Sequence, residues 1–355
     1  MLHRSLKTPD LWDLKNRRGE RSGGVFGFMK SINASLSVFD GFPIICWDAG
    51  HSFRRLEVYP NYKHHLDKAI SRKADKYALM LLMKEIENLP SDVTIEERQA
   101  VDDAIKRLNE TYTKHGTYHD PDDYSDQYLR QRDITISICH SLGIPSVLIS
   151  HWEGDDLITI ISRIANKSLI VTDDKDMIQL ISPDIEIFRV MAKQHLIFEK
   201  YMQETGAVSA REFVIAKAIS GDPSDNIPSV TKNETERKFF VGEATAKKIA
   251  RIIADNNENA ELYTKILLEQ EKDKNKMASF VRNLSVYERN MKLVDLSLVE
   301  SDLSVINQII AEIHKHAGKS KLFDVISKLS SLDITSVDVN SMIARLAYLK
   351  TFCFV

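Results

Sequence analysis

The sequence predicts an α/β protein with a parallel-sheet core, a charged helical insertion and a helical C-terminal part. Short apolar runs alternate with amphipathic segments between residues 42 and 190, a pattern typical of parallel strands connected by helices. Residues 64 to about 132 are highly charged, and their apolar side chains are spaced as in helices. After residue 208 the strand signals end. We therefore expect a core domain over residues 1–207 and a helical domain over residues 208–355.

The individual elements follow from local patterns. Ser22 is the expected N-cap of a helix whose apolar face consists of Val25, Phe28, Met29, Ile32 and Leu36. Apolar runs predict strands at 42–47, 146–150, 168–172 and 185–190. Helical spacing predicts helices at 155–165, 177–181 and 213–219, and a basic helix that opens after Gly242.

Composition narrows the class of protein. A formal net charge of −3 does not favour a protein that coats nucleic acid non-specifically, but it agrees with an enzyme whose acidic site is flanked by basic patches. The three cysteines lack the CxxC spacing of a zinc site, and no disulfide framework is indicated. No apolar run reaches the roughly 20 residues that span a bilayer, and the opening residues lack the apolar core of a signal peptide. We expect a cytoplasmic protein without membrane contact.

Acidic residues follow the ends of three predicted strands. The first strand is followed by Asp48, the second by Glu153, Asp155 and Asp156, and the third by Asp173, Asp174 and Asp176. Because the carboxyl ends of parallel strands lie along one edge of a sheet, these side chains are expected to converge. Converging carboxylates repel one another unless a cation binds between them, and hard oxygen ligands suit Mg²⁺ or Mn²⁺. Two such ions about 4 Å apart are a recurring device for phosphoryl displacement.

A plainer explanation is open for each acidic residue taken alone. Asp is common where helices are capped, and Asp155 or Asp176 fits such a position. Capping does not explain a whole set at successive strand ends. A further pair, Asp222 and Asp225, lies in a predicted tight turn over residues 220–228. The basic helix that opens after this turn offers amides and lysines to a phosphate.

Five segments resemble those of one nuclease family. They read WDAGHSFRRLEVYPNYK at 47–63, WEGDD at 152–156, VTDDKDMIQL at 171–180, GDPSDNIP at 221–228 and VGEATAKKI at 241–249. In order and spacing they are similar to the phage and bacterial 5′ to 3′ exonuclease and flap endonuclease family, called the 5′ nuclease family below, and to a phage RNase H-like member of it. The similarity extends over about residues 2–300, and YERN at 287–290 resembles the family's closing helix.

The resemblance implies a parallel-sheet core of the PIN-like type, an arch at the insertion, and a helix-three-turn-helix at about residues 220–255. It implies a structure-specific nuclease that hydrolyses phosphodiesters of 5′ flaps, nicked duplex or RNA primers by two-metal-ion catalysis in DNA replication or repair. Its cofactors would be two Mg²⁺ ions, replaceable by Mn²⁺, with K⁺ at the helix-three-turn-helix. Branched or nicked DNA, RNA/DNA hybrid, a single-strand-binding protein and a polymerase are the implied partners.

The resemblance also assigns roles to individual residues. The implied metal ligands are Asp48, Glu153, Asp155, Asp156, Asp174, Asp176, Asp222 and Asp225. Lys63 and Arg54 are expected to act on the scissile phosphate. The implied nucleic-acid contacts are Arg4, Arg55, Tyr62, Gly242, Lys247 and Lys248, with Tyr62 stacking on a base. For Arg55 and Lys63 a solvated charged face is the alternative, and for the insertion a plain charged helical hairpin.

Two departures from the family pattern bear on activity. Residues 231–240 separate IPSV at 227–230 from VGEATAKKI at 241–249, where the family runs almost directly on, and Ser229 stands where the family usually has Gly. Family members also begin with a strand ending in Asp-Gly-x-Asn, whose Asp binds metal, and this sequence resembles the family only from just after that strand. We expect a late start of the chain. The alternative is a catalytically weakened, structure-specific nucleic-acid-binding protein. A PIN-type RNase is a third alternative, but it normally lacks the Gly-Asp-x-x-Asp-Asn turn and the basic helix.

Overall fold

A computed structural model describes residues 1–50, 52–63, 121–207, 209–233, 239–255, 274–300 and 302–353. Contacts divide these residues into two compact units. The first unit comprises residues 1–42, 121–144 and 316–353, and the second comprises 43–63 and 145–315 within the described ranges. In the part of the chain described, no helix is both long and apolar enough to cross a bilayer. The predicted insertion at 64–132 lies largely outside the described residues.

The described strands and helices are named in chain order. The strands are β1 (Ile45–Cys46), β2 (Ser146–Val147), β3 (Ser168–Val171), β4 (Ile185–Arg189) and β5 (Gln194–Leu196). The helices up to the middle of the chain are α1 (Leu2–Leu6), α2 (Pro9–Trp12), α3 (Gly23–Val38), α4 (Phe53–Val58), α5 (Pro121–Leu142), α6 (Gly154–Ile164), α7 (Phe198–Thr205) and α8 (Arg211–Ser220). The remaining helices are α9 (Glu243–Asp255), α10 (Lys274–Arg282), α11 (Leu284–Val294), α12 (Leu303–His316), α13 (Leu322–Ser331) and α14 (Val339–Cys353). Short 3₁₀ helices lie at Lys175–Leu180, Pro223–Asp225 and Leu296–Leu298.

The first unit is helical and packs around α3. Ser22 is its N-cap position, and the five apolar residues predicted for its inner face are all buried. The C-terminal end of α3 is held by Arg345, which donates to the Leu36 carbonyl at 3.0 Å and to the Phe39 carbonyl at 3.2 Å. These bonds satisfy carbonyls that a helix end leaves without partners. Helices α1 and α2 were not predicted, because the sequence opens with mostly polar residues. Their Leu2, Leu6 and Trp12 side chains are nevertheless buried.

The second unit holds the strands. β1 and β2 pair in parallel, as do β3 and β4, so the α/β class with parallel pairing is confirmed. The arrangement differs from a single sheet, because the described strands form one two-stranded and one three-stranded sheet. β5 was not predicted, and it pairs with β4 in the antiparallel sense. Past residue 208 the described regular elements are helical, as expected.

Domain boundaries differ from the predicted division at 207 and 208. Helices α8 and α9 pack against each other, and α8 also packs on α11, in the same unit as the strands. The predicted end of the insertion at about 132 lies inside α5, which continues from Pro121 to Leu142. The structure describes residues 231–233 and 239–240 of the separating segment, and the amide of Val241, which follows the segment, donates to the Thr231 hydroxyl at 3.0 Å.

Candidate active site

The site lies in the second unit, where β1 and β2 end. Asp48 follows β1, and its Oδ1 accepts a 2.6 Å hydrogen bond from the Gly154 amide at the start of α6. Glu153 is the N-cap residue of α6, and Asp155 and Asp156 lie in its first turn. Negative charge is favoured at this position by the helix dipole. The predicted convergence of these carboxylates is therefore seen in the structure.

Arg55 is the internal counter-ion of the α6 carboxylates. Its guanidinium is 2% exposed and lies 2.9 Å from Asp156, 3.2 Å from Glu153 and 3.3 Å from Asp155. Burial raises the pKa of Asp155 to about 7 even though Arg55 acts in the opposite direction. For Glu153, burial acts in the same upward direction, but the charges of Arg55 and Lys63 outweigh burial, and the net effect is a lowered pKa. The cluster thus combines one carboxyl held ionised with one inclined to keep its proton.

Glu153 is saturated with donors. It accepts from the Ser52 amide at 3.2 Å, from Arg55 at 3.2 Å, from the Tyr62 hydroxyl at 3.1 Å and from the Lys63 ammonium at 2.7 Å. These bonds occupy the lone pairs that a metal ion would use. In this arrangement Glu153 organises the site and is not placed as an open ligand, which differs from the role predicted for it.

Residues 59–63 connect this cluster to the turn at 221–228. The Lys63 amide donates to the Asp225 carbonyl at 2.8 Å, and the Asn226 side chain donates to the Asn61 carbonyl at 2.8 Å. The Tyr62 hydroxyl lies 3.1 Å from Glu153 and 3.3 Å from Asp225. Two sets of carboxylates from distant parts of the sequence therefore share one wall.

The turn at 221–228 depends on its glycine and its acidic residues. Gly221 has φ 75°, and a Cβ built there would lie 2.5 Å from the Ser229 amide nitrogen, so the close approach requires glycine. Asp222 caps the 3₁₀ helix Pro223–Asp225 by accepting from the Ser224 amide at 2.8 Å. Asn226 completes the turn in the left-handed region at φ 57°. The composition that predicted a turn therefore also positions Asp222 and Asp225.

Lys217 on α8 pairs with the second set of carboxylates. Its ammonium contacts Asp176 and lies 2.7 Å from Asp222. Asp176, Asp222 and Asp225 each offer an oxygen within 4.8 Å of the others, a spacing that suits a metal ion. Burial lowers the pKa of Lys217, but the two carboxylates outweigh burial and raise it. The side chain is 13% exposed.

The carboxylates of this second set differ in their protonation equilibria. Burial raises the pKa of Asp176 and of Asp225, and the nearby ammonium groups offset only part of that effect. For Asp222, hydrogen bonds from Lys217 and Ser224 outweigh burial, and its pKa is lowered. Asp222 is therefore the most firmly ionised member of the set.

Asp173, Asp174 and Asp176 follow β3 as predicted, but they do not act alike. Asp174 is exposed and caps the 3₁₀ helix Lys175–Leu180 by accepting from the Asp176 amide at 2.9 Å. Asp173 accepts from the Met191 amide at 2.7 Å. Among the three, Asp176 is the one whose carboxylate faces Lys217. The capping explanation therefore holds for Asp174, whereas Asp176 lies at the cleft.

A small cavity separates the two sets. It has a volume of about 10 Å³, which matches the room that one water molecule needs. Its acidic lining comes from Asp155, Asp176 and Asp225, and Lys217 and Arg55 also border it. Nearby, Asp156 Oδ1 is buried and has no hydrogen-bond partner among the described residues. A hard divalent cation is the ligand that such oxygens favour.

The C-terminal end of α11 holds the cationic side of the site in place. Arg54 donates to the Lys292 carbonyl at 2.6 Å, Arg55 Nε to the Leu293 carbonyl at 3.0 Å, and Gln179 to the Val294 carbonyl at 3.2 Å. These are the carbonyls that a helix end leaves unsatisfied. The helix therefore positions both arginines.

Two predicted nucleic-acid contacts are corrected by burial. Tyr62 is 2% exposed, so no face of its ring is available to stack on a base. Arg55 is equally buried and serves the carboxylates, because their charge would otherwise be uncompensated in the interior. It is thus neither a surface phosphate contact nor part of a solvated face.

The remaining predicted contacts are placed as follows. Arg4 is exposed on α1 in the first unit. Gly242 precedes α9, and its carbonyl accepts the first helical bond, from the Ala246 amide at 2.9 Å. Lys247 and Lys248 are exposed on α9, and Lys247 pairs with Glu243 at 2.8 Å.

Sequence reasoning missed Lys217 and an exposed aromatic pair. Lys217 is the single charge in the predicted helix 213–219, and a lysine among buried apolar neighbours was the signal that could have identified it. Phe53 is 56% exposed and stacks on the His151 ring with centroids 3.8 Å apart. Phe53 lies after β1 and directly precedes Arg54, and His151 lies after β2, two residues before Glu153.

Part of the chain is similar in sequence to known exonucleases. The family model for the 5′-3′ exonuclease, N-terminal resolvase-like domain, matches residues 119–206. A 5′-3′ exonuclease of Buchnera aphidicola subsp. Schizaphis graminum is 36% identical over 108 residues, which are 29% of this chain and 37% of that protein. DNA polymerase I of Lactococcus lactis subsp. cremoris is 31% identical over 134 residues, or 35% of this chain and 14% of the polymerase. The chain thus spans well under half of the length of either relative.

A solved structure extends the likeness over most of the chain. The bacteriophage T5 protein co-crystallised with metal ions aligns over 90% of this chain and 91% of its own, with a TM-score of 0.51 and 18% sequence identity. At that identity the likeness shows the fold. It agrees with the α/β class predicted from the strand and helix pattern.

Proposed function

We propose that this chain is a 5′ nuclease that hydrolyses phosphodiester bonds near the 5′ ends of flapped, nicked or RNA-primed DNA with the aid of divalent cations, a proposal supported by its similarity to 5′-3′ exonucleases. The observation that carries the proposal is the cleft itself. Carboxylates from α6, from the segment after β3 and from the turn at 221–228 border one small cavity in the second unit. A structural role alone does not require so many acidic groups at one point.

The residues present fit two Mg²⁺ ions, with Mn²⁺ as a substitute. Every donor is a hard oxygen, and Asp156 Oδ1 is buried without a hydrogen-bond partner within the described part of the chain. We assign the ligands to Asp155, Asp156, Asp174, Asp176, Asp222 and Asp225, with Asp48 and Glu153 holding the loops that carry them. When bound, the ions would lower the pKa of an attacking water and stabilise charge on the phosphate.

The chain's own cations act on the phosphate. Lys63 is 28% exposed, and its ammonium lies 2.7 Å from Glu153. Arg54 is 26% exposed, lies 4.0 Å from Asp156, and has an Nη2 atom with no hydrogen-bond partner among the described residues. Both groups thus lie close to the carboxylates, and both keep N–H donors for a phosphate oxygen. A phosphate placed there would meet positive charge where negative charge develops during cleavage.

Base stacking is assigned to Phe53 in place of Tyr62. The Phe53 ring is more than half exposed and stacks on His151, and stacking tolerates any base. Phe53→Ala should weaken binding of a single-stranded flap by about 1–3 kcal/mol. Binding of the same duplex without a flap should be unchanged. Equal losses for both substrates would remove Phe53 from the flap-binding surface.

Helix α9 is the proposed contact with the uncut duplex. The exposed lysines of α9 would meet phosphates of the uncut duplex, with K⁺ bound at the turn before that helix. A cytoplasmic location, and replication partners such as a polymerase or a single-strand-binding protein, complete the proposal.

Metal-dependent cleavage tests the proposed function. A 5′-labelled flap and the same duplex without a flap would each be incubated with the protein in Mg²⁺, in Mn²⁺ and in EDTA. We expect cleavage of the flap in either ion and none in EDTA. Lys63→Ala should lower the cleavage rate more than the duplex affinity. Tight flap binding with no cleavage in either ion would instead identify a structure-specific binding protein.

A further inference from the structure

The carboxylates of Asp176, Asp222 and Asp225 outnumber the ammonium groups that face them among the described residues. Their oxygens lie within 4.8 Å of one another, and the cation seated among them is the Lys217 ammonium, 2.7 Å from Asp222 and in contact with Asp176. Lys63 is 3.9 Å from Asp225 and is directed chiefly to Glu153 at 2.7 Å. The ammonium of Lys217 is thus where a divalent ion would be attracted most strongly.

The two cations exclude each other at this point. Ammonium and metal ion both seek the oxygens of Asp176 and Asp222, and like charges a few Å apart in a poorly solvated cleft repel strongly. The ammonium already contacts Asp176 Oδ2 and Asp222 Oδ2, the oxygens that the ion would bind. One cation must leave when the other enters.

The structure allows the ammonium to move while its helix stays in place. Helix α8 is anchored by buried neighbours of Lys217, among them Val214 and Ala218. The lysine stem has four rotatable carbons and ends in a point charge without directional preference. Its side chain is 13% exposed and borders the open cleft. A change of rotamer therefore suffices to release the two carboxylates.

We propose that Lys217 is a positioning residue that holds the site in its metal-free state, and that a divalent cation binds by displacing the Lys217 ammonium from Asp176 and Asp222. The ion in question is the one of the proposed function, on which this inference rests. Lys217 thereby keeps the carboxylates together before loading and weakens the affinity for the ion. Once displaced, the ammonium remains in the cleft, where it would donate a hydrogen bond to a phosphate oxygen.

Direct measurement of metal binding tests the exchange. Mn²⁺ would be titrated into the full chain without nucleic acid, and the free ion followed by electron paramagnetic resonance. Lys217→Met keeps the stem and removes the charge, so we expect Mn²⁺ to bind on the order of tenfold more tightly. Lys328→Met, which removes an ammonium paired 2.8 Å from Asp324 in the first unit, is the matched control and should bind as wild type does. Unchanged or weaker binding by Lys217→Met would overturn the exchange.

A second measurement uses the wild-type chain and does not depend on the variant folding. An amine-reactive reagent followed by mass spectrometry would report how quickly Lys217 is modified with and without Mn²⁺, with Lys328 as internal reference. Displacement predicts faster modification of Lys217 when Mn²⁺ is present. Equal or slower modification would contradict the proposal.

The nuclease and the exchange can fail separately. Cleavage of a flap without any gain in Mn²⁺ affinity in Lys217→Met would leave the nuclease standing and reject the exchange. Tighter Mn²⁺ binding without cleavage of any nucleic acid would support the exchange and reject the nuclease. Absence of Mn²⁺ binding in both wild type and variant would reject both.

Discussion

Removal of the Arg55 guanidinium should destabilise the metal-free protein severely. The group is 2% exposed and lies within 3.3 Å of three carboxylates, two of which are themselves 2% exposed. Breaking a buried ion pair by removing one partner costs about 3–5 kcal/mol, because the remaining charge is left buried and uncompensated. For a unit of this size, that loss corresponds to a melting temperature lower by roughly 10 °C. Arg55→Met is the appropriate variant, since it keeps an apolar side chain of similar length.

The assay is thermal unfolding in EDTA and in excess Mg²⁺, followed by circular dichroism. In EDTA the variant should show the full loss. An ion at about one hundred times its dissociation constant adds about 2.7 kcal/mol of stability, so Mg²⁺ should restore a large part of it. Arg54→Met is the matched control. Its side chain is 26% exposed, and it loses chiefly the 2.6 Å bond to the Lys292 carbonyl, so about 1 kcal/mol is expected.

Two results would refute this reasoning. One is an Arg55→Met variant that melts within about 2 °C of wild type in EDTA, since the carboxylates would then not depend on Arg55. The other is an equal loss in the Arg54 control. Unchanged stability combined with weaker DNA binding would return Arg55 to the role of a phosphate contact.

Three further predictions follow from the site. Burial raises the pKa of Asp155 to about 7 from an ordinary value near 3.8, so this carboxyl favours the folded state most below pH 4, and its contribution of at most about 4 kcal/mol is lost as pH rises to 7. The free energy of unfolding, measured by urea titration in EDTA, should therefore depend less on pH between 4 and 8 in Asp155→Asn than in wild type. An unchanged pH dependence would contradict this. Asp174→Asn keeps the backbone cap and should leave the melting temperature unchanged while flap cleavage in Mg²⁺ slows by about two orders of magnitude or more; near-normal turnover would exclude Asp174 as a ligand. Replacing Lys247 and Lys248 with Ala should reduce the slope of log DNA affinity against log salt concentration by about two. Ala at Lys200, an equally exposed lysine that pairs within its own helix, should leave that slope unchanged. An unchanged slope in the double variant would show that α9 does not contact DNA.

Sequence reasoning was most successful where a local pattern has one structural solution. Alternating apolar runs identified β1 to β4, and the acidic residues after β1, β2 and β3 lie where the ends of those strands predicted. Gly221 and its neighbours were recognised as a turn because few residue types adopt those backbone angles. Local rules were enough in these cases.

Partners distant in sequence could not be predicted in the same way. Arg55 was expected on a surface, and its burial depends on carboxylates about a hundred positions later in the chain. Tyr62 was expected to stack on a base, but the distant Glu153 and Asp225 draw its hydroxyl inward. Lys217 lacked any local motif. Charge compensation in the interior is a property of the assembled fold, and residue types alone do not display it.

Asn290 ties the acidic turn to a helix that comes much later in the chain. The side chain is fully buried, and its amide donates to the Ala218 carbonyl at 2.9 Å, ahead of the turn at 221–228, and to the carbonyl of Pro228, the last residue of that turn, at 2.8 Å. The spacing of Asp222 and Asp225 is therefore completed only when α11 has docked, and the same docking supplies the carbonyls that hold Arg54 and Arg55. During synthesis the chain must emerge past residue 294 before its carboxylates acquire their final arrangement. A nascent or proteolysed chain that ends before α11 would hold every acidic side chain of the cleft and still lack the contacts that hold the turn and both arginines in place.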